Sequence, residues 1–205
     1  MIEHVAMPHG SVVLLEVEDL DAALAALPDA ERAHAATLGE LRRREHVTGR
    51  TALHVALDDF TTPILADDRG APVLPAGWVG SVSHKGPRAA AIISPAGAGW
   101  VGLDLERAAP PKVDIARRIL TPREQAALPG SDDDRGLAVT LRFAIKEAIY
   151  KAVDPYLRRY VGFTEVELEL AGEHCVVTSA LGLVIEASWR AHGGHWLATA
   201  RAIRP

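Results

Sequence analysis

Cysteine is almost absent from this 205-residue sequence, which contains only Cys175. An intrachain disulfide is therefore impossible, and a secreted scaffold held together by disulfides is excluded. The surrounding run "HCVVTSA" has the composition of a strand. A free cysteine in such a run is usually buried, so Cys175 is predicted to be an inert thiol in the core.

Long apolar runs are also missing. No uninterrupted apolar segment approaches the roughly 20 residues that a helix needs to cross a membrane. The first residues, "MIEHVAMPHG", lack the basic region and the apolar stretch of a signal peptide. Together these absences predict a cytoplasmic protein without a membrane span.

The sequence has no excess of positive charge. Its formal net charge of -5 gives no general reason to expect a nucleic-acid partner, and 48% hydrophobic residues predict a folded chain. The basic residues are nevertheless clustered, because "LRRREHVTGR" places Arg42, Arg43, Arg44 and Arg50 in one short segment. A local anion site is therefore compatible with an acidic protein.

The first part of the chain alternates between strand and helix patterns. A strand is predicted at 10–19, and a helical pattern runs from 29 to about 60, interrupted at Gly49, where close approach of another element is typical. Short turns rich in Gly and Pro separate further strand-like runs at 77–85, 88–95 and 99–106. The pattern of these runs indicates an antiparallel meander.

The second part repeats the same kinds of element. In "TPREQAAL", Thr121 is predicted to cap a helix and Glu124 to complete a capping box. A long helix is predicted at 135–153, and four strand-like runs follow, the last two joined at "HGGH". We therefore predict an α+β fold of two similar halves, residues 1–106 and 107–205, each with a small, mainly antiparallel sheet on a long helix.

Acidic residues stand at unusual places in two apolar segments. Asp104 and Glu106 in "VGLDLE" share one face of a strand, and such a pair suits Mg²⁺, which adds water and substrate phosphate to one or two carboxylates. The alternative is a solvated strand end. In "FAIKEAIYK", Glu147 and Lys151 lie one helical turn apart among apolar residues. This carboxylate and ammonium are suited to attack on a phosphoryl centre, although such pairs are often only surface residues.

Two histidine-containing segments have less specific patterns. In "GSVSHKG", Ser83, His84 and Lys85 could donate hydrogen bonds to phosphate, but a lone histidine near a strand end is more often structural. His192 and His195 flank a Gly-Gly turn and are predicted to be exposed hairpin residues, because no further Cys or His cluster supports a zinc site.

Four segments in order closely resemble the 4′-phosphopantetheinyl transferases, in particular the subgroup that primes enterobactin-type siderophore synthetases. They are "APVLPAGWVGSVSHKGPRAAAI", "VGLDLE", "ILTPREQAAL" and "LRFAIKEAIYKA", and "RRREHVTGR" is similar to the basic helix of that subgroup. The resemblance spans residues 40–153 and, more faintly, the closing "WLATARAI". It implies Mg²⁺-dependent transfer of phosphopantetheine from coenzyme A to a serine of an apo carrier protein, with release of adenosine 3′,5′-bisphosphate.

The resemblance also implies a pseudo-two-fold fold with the site between its halves, and a role for each matching residue. Glu147 would take the serine proton directly or through a water, and Lys151 would assist the leaving group. The metal-site carboxylates would be Asp104, Glu106 and Glu147. Ser83, His84 and Lys146 would hold the coenzyme A phosphates, and Arg42, Arg43 and Arg50 would meet its phosphates or its adenine side.

The expected partners are coenzyme A and an acidic acyl or peptidyl carrier protein. Exposed basic residues are predicted to steer that carrier by charge, the alternative being an ordinary solvated surface; they are Lys112, Arg117, Arg118, Arg123, Arg158 and Arg159. A monomer is expected. A non-catalytic coenzyme A or nucleotide-binding module and a Mg²⁺-dependent phosphoesterase stay open as alternatives, and the sequence does not name the carrier.

Overall fold

The structure, a computed structural model, describes residues 1–205 and divides into two compact units, Met1–Ala98 and Gly99–Pro205. Each unit contains one antiparallel sheet and one long helix, so the predicted α+β class is confirmed. The predicted boundary after residue 106 falls too late, because the strand Trp100–Arg107 pairs with the last strand of the chain in the second sheet. None of the helices combines the length and the apolar character that crossing a membrane requires.

The first unit has a four-stranded sheet in the order β1-β2-β4-β3, and every neighbouring pair is antiparallel. The predicted helix from 29 to 60 is two helices, because the chain leaves helical geometry between Thr37 and Gly39. The sequence analysis did not identify β1 or α1. The elements are β1 (Ile2–Met7), β2 (Gly10–Glu16), α1 (Leu20–Ala26), α2 (Asp29–Ala36), α3 (Glu40–Leu57), β3 (Trp78–Lys85) and β4 (Arg88–Pro95).

Helix α3 packs across this sheet. Its buried residues Ala52 and Leu53 form a core with Val13, Leu15 and the small alanines of β4. The helix continues through Gly49 instead of breaking there. A Cβ at Gly49 would lie 3.3 Å from Val82 Cγ2, so the glycine marks the predicted close approach, here of β3.

The second unit has a five-stranded antiparallel sheet in the order β5-β9-β8-β7-β6. The predicted capping box forms at the start of α5, where Thr121 Oγ1 accepts from the Glu124 amide and Glu124 accepts from the Thr121 amide. The elements are β5 (Trp100–Arg107), α4 (Ala116–Ile119), α5 (Pro122–Ala126), α6 (Asp132–Leu157), β6 (Val166–Ala171), β7 (His174–Ser179), β8 (Val184–His192) and β9 (His195–Ile203).

Helix α6 is longer at both ends than the predicted 135–153. Ser131 caps its first turn by accepting from the Asp134 amide, and three aspartates in that turn interact favourably with the helix dipole. The apolar face includes Ile145 and Ile149, which are buried against the sheet. Each such side chain contributes roughly 1.5–3 kcal/mol through burial.

Gly102 allows α6 to lie unusually close to β5. A Cβ at this position would stand 1.9 Å from the carbonyl oxygen of Ala148 and 2.7 Å from the nitrogen of Ala152, which no side chain can do. Side chains of a strand alternate between its faces, so Asp104 and Glu106 share the face of Gly102. The close packing therefore places both carboxylates on the side of the strand that faces α6.

Candidate active site

The first acidic residue of this face, Asp104, is bound by a lysine from α6. Lys151 Nζ donates to Asp104 Oδ1 at 2.8 Å and to the carbonyl oxygen of Leu103 at 2.9 Å. The Asp104 side chain is only 8% exposed, whereas that of Lys151 is 28% exposed. Helix α6 thus brings Lys151 to the aspartate of β5, across 47 residues of sequence.

Glu147 lies in the same electrostatic environment. Burial raises the pKa of its carboxyl group above the ordinary value of 4.5, the negative charges of Asp104 and Glu106 raise it further, and Lys151 opposes them. The structure therefore brings Asp104, Glu106, Glu147 and Lys151 within electrostatic range of one another. We call these four residues the acidic site.

The acidic site fits Mg²⁺, although it is not a preformed cage. No group of three His, Cys, Asp or Glu side chains is close enough to hold a metal ion without rearrangement. Mg²⁺ does not require such a cage, because it commonly binds one or two carboxylates and completes its shell with water and phosphate oxygens. Carboxylate oxygens are its preferred ligands, and a divalent cation would offset the repulsion that raises the pKa of Glu147.

Lys146 does not belong to this site. Its Nζ donates to Glu124 Oε2 at 2.7 Å and to the carbonyl oxygens of Ile119, Phe163 and Val166 at 2.8–3.0 Å. An ammonium group has three N–H donors, so these acceptors use all of them. The expectation that Lys146 holds a coenzyme A phosphate is therefore wrong in this structure.

The basic segment of the first unit lies on α3. Arg50 is buried, and burial lowers the pKa of its guanidinium group while Glu31 partly offsets the effect. The Nε atoms of Arg43 and Arg50 are buried and make no hydrogen bond. A buried charged group with an unused donor is costly, and a bound anion would relieve that cost. Arg42, by contrast, is exposed and pairs with Glu45 Oε2 at 2.9 Å.

Ser83 and His84 lie on opposite faces of β3, as their adjacent positions predict. His84 Nδ1 is 3.7 Å from Glu45 Oε1, so His84 lies on the face that packs against α3. Ser83 is buried on the other face. His84 and Arg42 therefore both lie near the carboxylate of Glu45. This shared contact was not predicted from the sequence.

Two further acidic residues were missed as functional candidates, and both are fully buried. Glu31 of α2 pairs with His54 of α3, and Glu124 of α5 pairs with Lys146 of α6. The shared sequence signal is a leucine four residues earlier, in "LPDAE" and "LTPRE". The capping box identified Glu124 as a helix-start residue, but local pattern gave no sign of its second partner.

Several weaker candidates are resolved by their surroundings. Cys175 is half-buried at the edge of the core and not fully inside it as predicted, and this burial raises the pKa of its thiol to about 12, with Arg142 opposing, which makes the group unreactive. His192 pairs with His195 across the β8–β9 hairpin, and His195 Nδ1 is 2.9 Å from the carbonyl oxygen of Gly193. Neither histidine belongs to a metal-binding group.

The predicted carrier-steering residues differ in their partners. Arg123 pairs with Glu167 and Glu169, and Arg159 pairs with Glu165 through two hydrogen bonds. Intramolecular carboxylates therefore offset much of their charge. Arg117 and Arg118 of α4 are exposed to solvent, so they are the better candidates for an external acidic partner.

A family model described as "4'-phosphopantetheinyl transferase superfamily" matches residues 100–200, and one described as "4'-phosphopantetheinyl transferase N-terminal domain" matches residues 30–94. The chain is 35% identical over 133 residues to 4'-phosphopantetheinyl transferase Npt of Nocardia iowensis, with 63% of this chain and 60% of that protein covered.

Two other relatives give similar values. The chain is 33% identical over 131 residues to 4'-phosphopantetheinyl transferase PptT of Mycobacterium tuberculosis, with 62% of this chain and 58% of the relative covered. It is 32% identical over 135 residues to enterobactin synthase component D of Escherichia coli O157:H7, with 63% of each covered. The matched segments thus span about three fifths of the length of these relatives. A solved holo-(acyl-carrier-protein) synthase from Bacillus anthracis has a TM-score of 0.44 at 22% identity, over 53% of this chain and 97% of that one.

Proposed function

Because the chain belongs to the 4′-phosphopantetheinyl transferase superfamily, we propose that it transfers the 4′-phosphopantetheine arm of coenzyme A to a serine of an apo carrier protein. The observation that carries this proposal is the acidic site, in which β5 and α6 hold three carboxylates and an ammonium group together. A module that only binds coenzyme A needs no such group of carboxylates.

The proposed reaction is a phosphoryl transfer. The serine oxygen forms a bond to the phosphorus that carries pantetheine, and the bond from that phosphorus to the bridging oxygen breaks. Adenosine 3′,5′-bisphosphate leaves with the electron pair of the broken bond. The serine proton passes to Glu147, directly or through a water, and the raised pKa of this carboxyl group makes it a stronger proton acceptor than an ordinary glutamate.

The remaining residues of the acidic site would bind and neutralise charge. Asp104, Glu106 and Glu147 would hold Mg²⁺, which when bound would withdraw charge from the diphosphate of coenzyme A. Lys151 would stabilise the negative charge that develops on the leaving phosphate. Its partly exposed ammonium group is compatible with this role, since it can reach an incoming ligand.

The proposed contacts to coenzyme A lie on α3 and β3. Arg43 and Arg50 carry buried donors that make no hydrogen bond, and a phosphate would satisfy them. Arg42, Ser83 and His84 complete the proposed set. For the carrier, we propose that Arg117 and Arg118 provide the attractive charge, and that one cytoplasmic chain acts as a monomer.

One assay tests the proposal. The protein is incubated with coenzyme A, Mg²⁺ and a panel of apo fatty-acid, polyketide and nonribosomal-peptide carrier domains, and each carrier is weighed by mass spectrometry. The mass gain of one phosphopantetheine group is expected, and it should disappear with a chelator, with a carrier whose serine is replaced by alanine, and with Asp104→Ala.

The alternatives give different products. A Mg²⁺-dependent phosphoesterase would cleave coenzyme A in the absence of a carrier, without any gain in carrier mass. A binding module would bind coenzyme A and leave both reactants unchanged. Either result with every carrier of the panel would refute the proposed transfer.

A further inference from the structure

The buried ion pair of the second unit joins segments that are far apart in the sequence. Lys146 Nζ is 2.7 Å from Glu124 Oε2, and the two side chains are 1% and 0% exposed. The three carbonyl oxygens that also accept from Lys146 belong to Ile119, Phe163 and Val166. One ammonium group therefore ties α6 to the end of α4, to the residues before β6 and to the start of β6.

Glu124 extends the same connection from the other side. Its Oε2 also accepts from the Thr121 amide at 2.7 Å, and its Oε1 accepts from the Leu168 amide at 3.0 Å. Every oxygen of the carboxylate is thus bound by a donor in fixed geometry. The pair is held on all sides and can adopt few other arrangements.

Stability alone is a weak explanation for such a pair. Removing two charges from water is expensive, and replacement of a whole buried ion pair by neutral residues of similar volume is often neutral or stabilising. Loss of one partner is strongly destabilising, because the other charge is left buried and unpaired. What distinguishes the pair is that its hydrogen bonds hold both side chains in fixed directions.

The first unit contains a pair of the same design. Glu31 Oε1 is 2.9 Å from His54 Nε2 and accepts from the Ile64 amide, while His54 Nδ1 donates to the carbonyl oxygen of Asp59. In both units the carboxylate stands four residues after a buried leucine, on a short helix that precedes the long one. The two long helices that carry the proposed functional residues, α3 and α6, are therefore each fixed by a buried carboxylate.

Lys146 directly precedes Glu147, and successive residues of an α-helix are rotated by about 100° around its axis. Fixing the direction of Lys146 therefore fixes the direction of Glu147 toward β5. We propose that Glu124 and Lys146 form a positioning pair, which sets the rotation of α6 so that Glu147 faces Asp104 and Glu106. This inference rests on the proposed function, since it assigns the pair a purpose within the same site.

The main test removes the charges without removing the volume. In the double variant Glu124→Gln/Lys146→Met, no buried charge is left unpaired. The matched control is Val153→Ala, which truncates another fully buried residue of α6 and leaves the pair intact. Melting temperature, kcat, and KM for coenzyme A and for the carrier are measured for all three proteins.

The double variant is expected to melt lower than the wild type, because the carbonyl oxygens of Ile119, Phe163 and Val166 lose their donor, but to fold and to keep its KM for coenzyme A within about twofold. Its kcat is expected to fall roughly 10- to 100-fold, because a displacement of about 1 Å at a reacting group has effects of that size. The control should retain the wild-type kcat. A folded double variant with wild-type kcat would overturn the proposal and leave the pair a purely stabilising feature.

If the double variant does not fold, a second variant provides the test. Lys146→Arg keeps the charge. The donors of lysine all radiate from Nζ, whereas those of a planar guanidinium lie in one plane, so arginine cannot reach the same acceptors. The same loss of kcat is expected in the folded Lys146→Arg protein, and a wild-type kcat would again overturn the proposal.

Binding of Mn²⁺, measured by electron paramagnetic resonance in the presence of coenzyme A, separates this inference from the proposed function. The double variant is expected to bind Mn²⁺ about tenfold more weakly, because Glu147 is turned away. If the wild type binds Mn²⁺ but modifies no carrier, the proposed function fails and the Mn²⁺ affinities still decide the positioning role. If the wild type and the double variant then bind Mn²⁺ with equal affinity, or if the wild type binds no Mn²⁺, the positioning role is overturned.

Discussion

Lys151 Nζ lies 2.8 Å from Asp104 Oδ1 and also donates to the carbonyl oxygen of the preceding residue of β5. A carboxylate in an apolar strand is costly to bury unless a cation meets it. For Asp104 that cation is the ammonium group of Lys151, supplied by α6. The contact therefore serves two purposes, since it makes the buried aspartate tolerable and places a positive charge at the proposed site of phosphoryl transfer.

Replacing Lys151 by methionine should lower kcat and also destabilise the fold. The substitution keeps most of the side-chain volume and removes the charge proposed to stabilise the leaving phosphate, a kind of loss that typically reduces kcat about 10²- to 10³-fold. Stability should also fall, by at most about 3–5 kcal/mol, because Asp104 is only 8% exposed and loses the cation that makes its burial tolerable. Steady-state kinetics and urea unfolding give the two values.

The control for this substitution is Arg190→Met, which removes an exposed cation that pairs with Glu173. It should leave kcat and the unfolding midpoint close to those of the wild type. A Lys151→Met protein with a kcat near that of the wild type would contradict the role given to Lys151.

Glu147→Gln should abolish carrier modification while preserving the fold. Glutamine has nearly the same shape, but it cannot accept the serine proton or supply negative charge to a metal ion, and loss of a general base alone costs about 10²- to 10⁴-fold. Carrier mass spectrometry and circular dichroism provide the measurement. Near-normal turnover would show that another group takes the proton.

The same residue predicts a pH dependence. Burial and the charges of Asp104 and Glu106 raise the pKa of Glu147 against the effect of Lys151, so its carboxylate form is lost on acidification at a pH above 4.5. Carbon-13 NMR of the glutamate carboxyl groups in metal-free buffer should show one midpoint above the ordinary range, absent in Glu147→Gln. In Asp104→Asn that midpoint should fall, because a neighbouring negative charge is removed. An unchanged midpoint in Asp104→Asn would show that the charge of Asp104 does not influence the pKa of Glu147.

Gly102→Ala should disrupt the packing of α6 on β5. Its new Cβ would meet the Ala148 carbonyl oxygen at 1.9 Å, and this is backbone that cannot rotate away. Overpacking of this kind costs about 3 kcal/mol or more, and the displaced helix should also lose transfer activity. Gly97→Ala is the control, because a Cβ there meets nothing within 4 Å. Equal urea midpoints for the two variants would contradict the close approach.

His46 should make the protein less stable in acid. Burial, together with the charges of Arg50 and His34, lowers its pKa from 6.5 to about 4, while Glu31 opposes them. The unfolded chain therefore binds a proton more readily, and the stabilising contribution of neutral His46 is lost as pH falls from 6.5 toward 4. Urea unfolding of His46→Gln over this range should show a shallower loss than the wild type.

His54 acts in the opposite direction and must be separated from this effect. Burial alone would lower its pKa, but hydrogen bonds to Glu31 and to the Asp59 carbonyl raise it overall. The stabilising contribution of protonated His54 to folding is present below pH 6.5 and is lost as pH rises through the raised pKa. A His46→Gln protein with the same acid profile as the wild type would exclude His46 as the source of the loss.

Reversing the charges of Arg117 and Arg118 to glutamate should weaken carrier binding without affecting coenzyme A. Both side chains are exposed on α4, where they attract an acidic partner through long-range charge. At low salt the carrier KM should rise about tenfold, and the difference should shrink at high salt because ions screen exposed charges. Steady-state kinetics at two salt concentrations measure the effect, with Arg123→Glu as a comparison, since that arginine already pairs with glutamates. An unchanged carrier KM at low salt would contradict the steering role.

Local sequence patterns were enough to predict the main helices and strands and to identify the acidic residues. The helix around residues 135–153, the capping box of Thr121 and Glu124, and the paired positions of Asp104 and Glu106 all depend on residues within a few positions of one another. Such patterns are set by backbone periodicity and by the unsatisfied groups at helix ends, and both can be read along the chain.

The groups that these side chains meet depend on long-range contacts in the folded protein. Lys146 looked like a phosphate ligand, but Glu124 and three carbonyl oxygens from distant segments surround it. The tight packing at Gly102 and the assignment of β5 to the second sheet likewise depend on partners far away in sequence. The position of a residue in a helix or strand determines the face on which its side chain lies. The residues that this face contacts are determined by pairing between distant segments, and that pairing leaves no local pattern in the sequence.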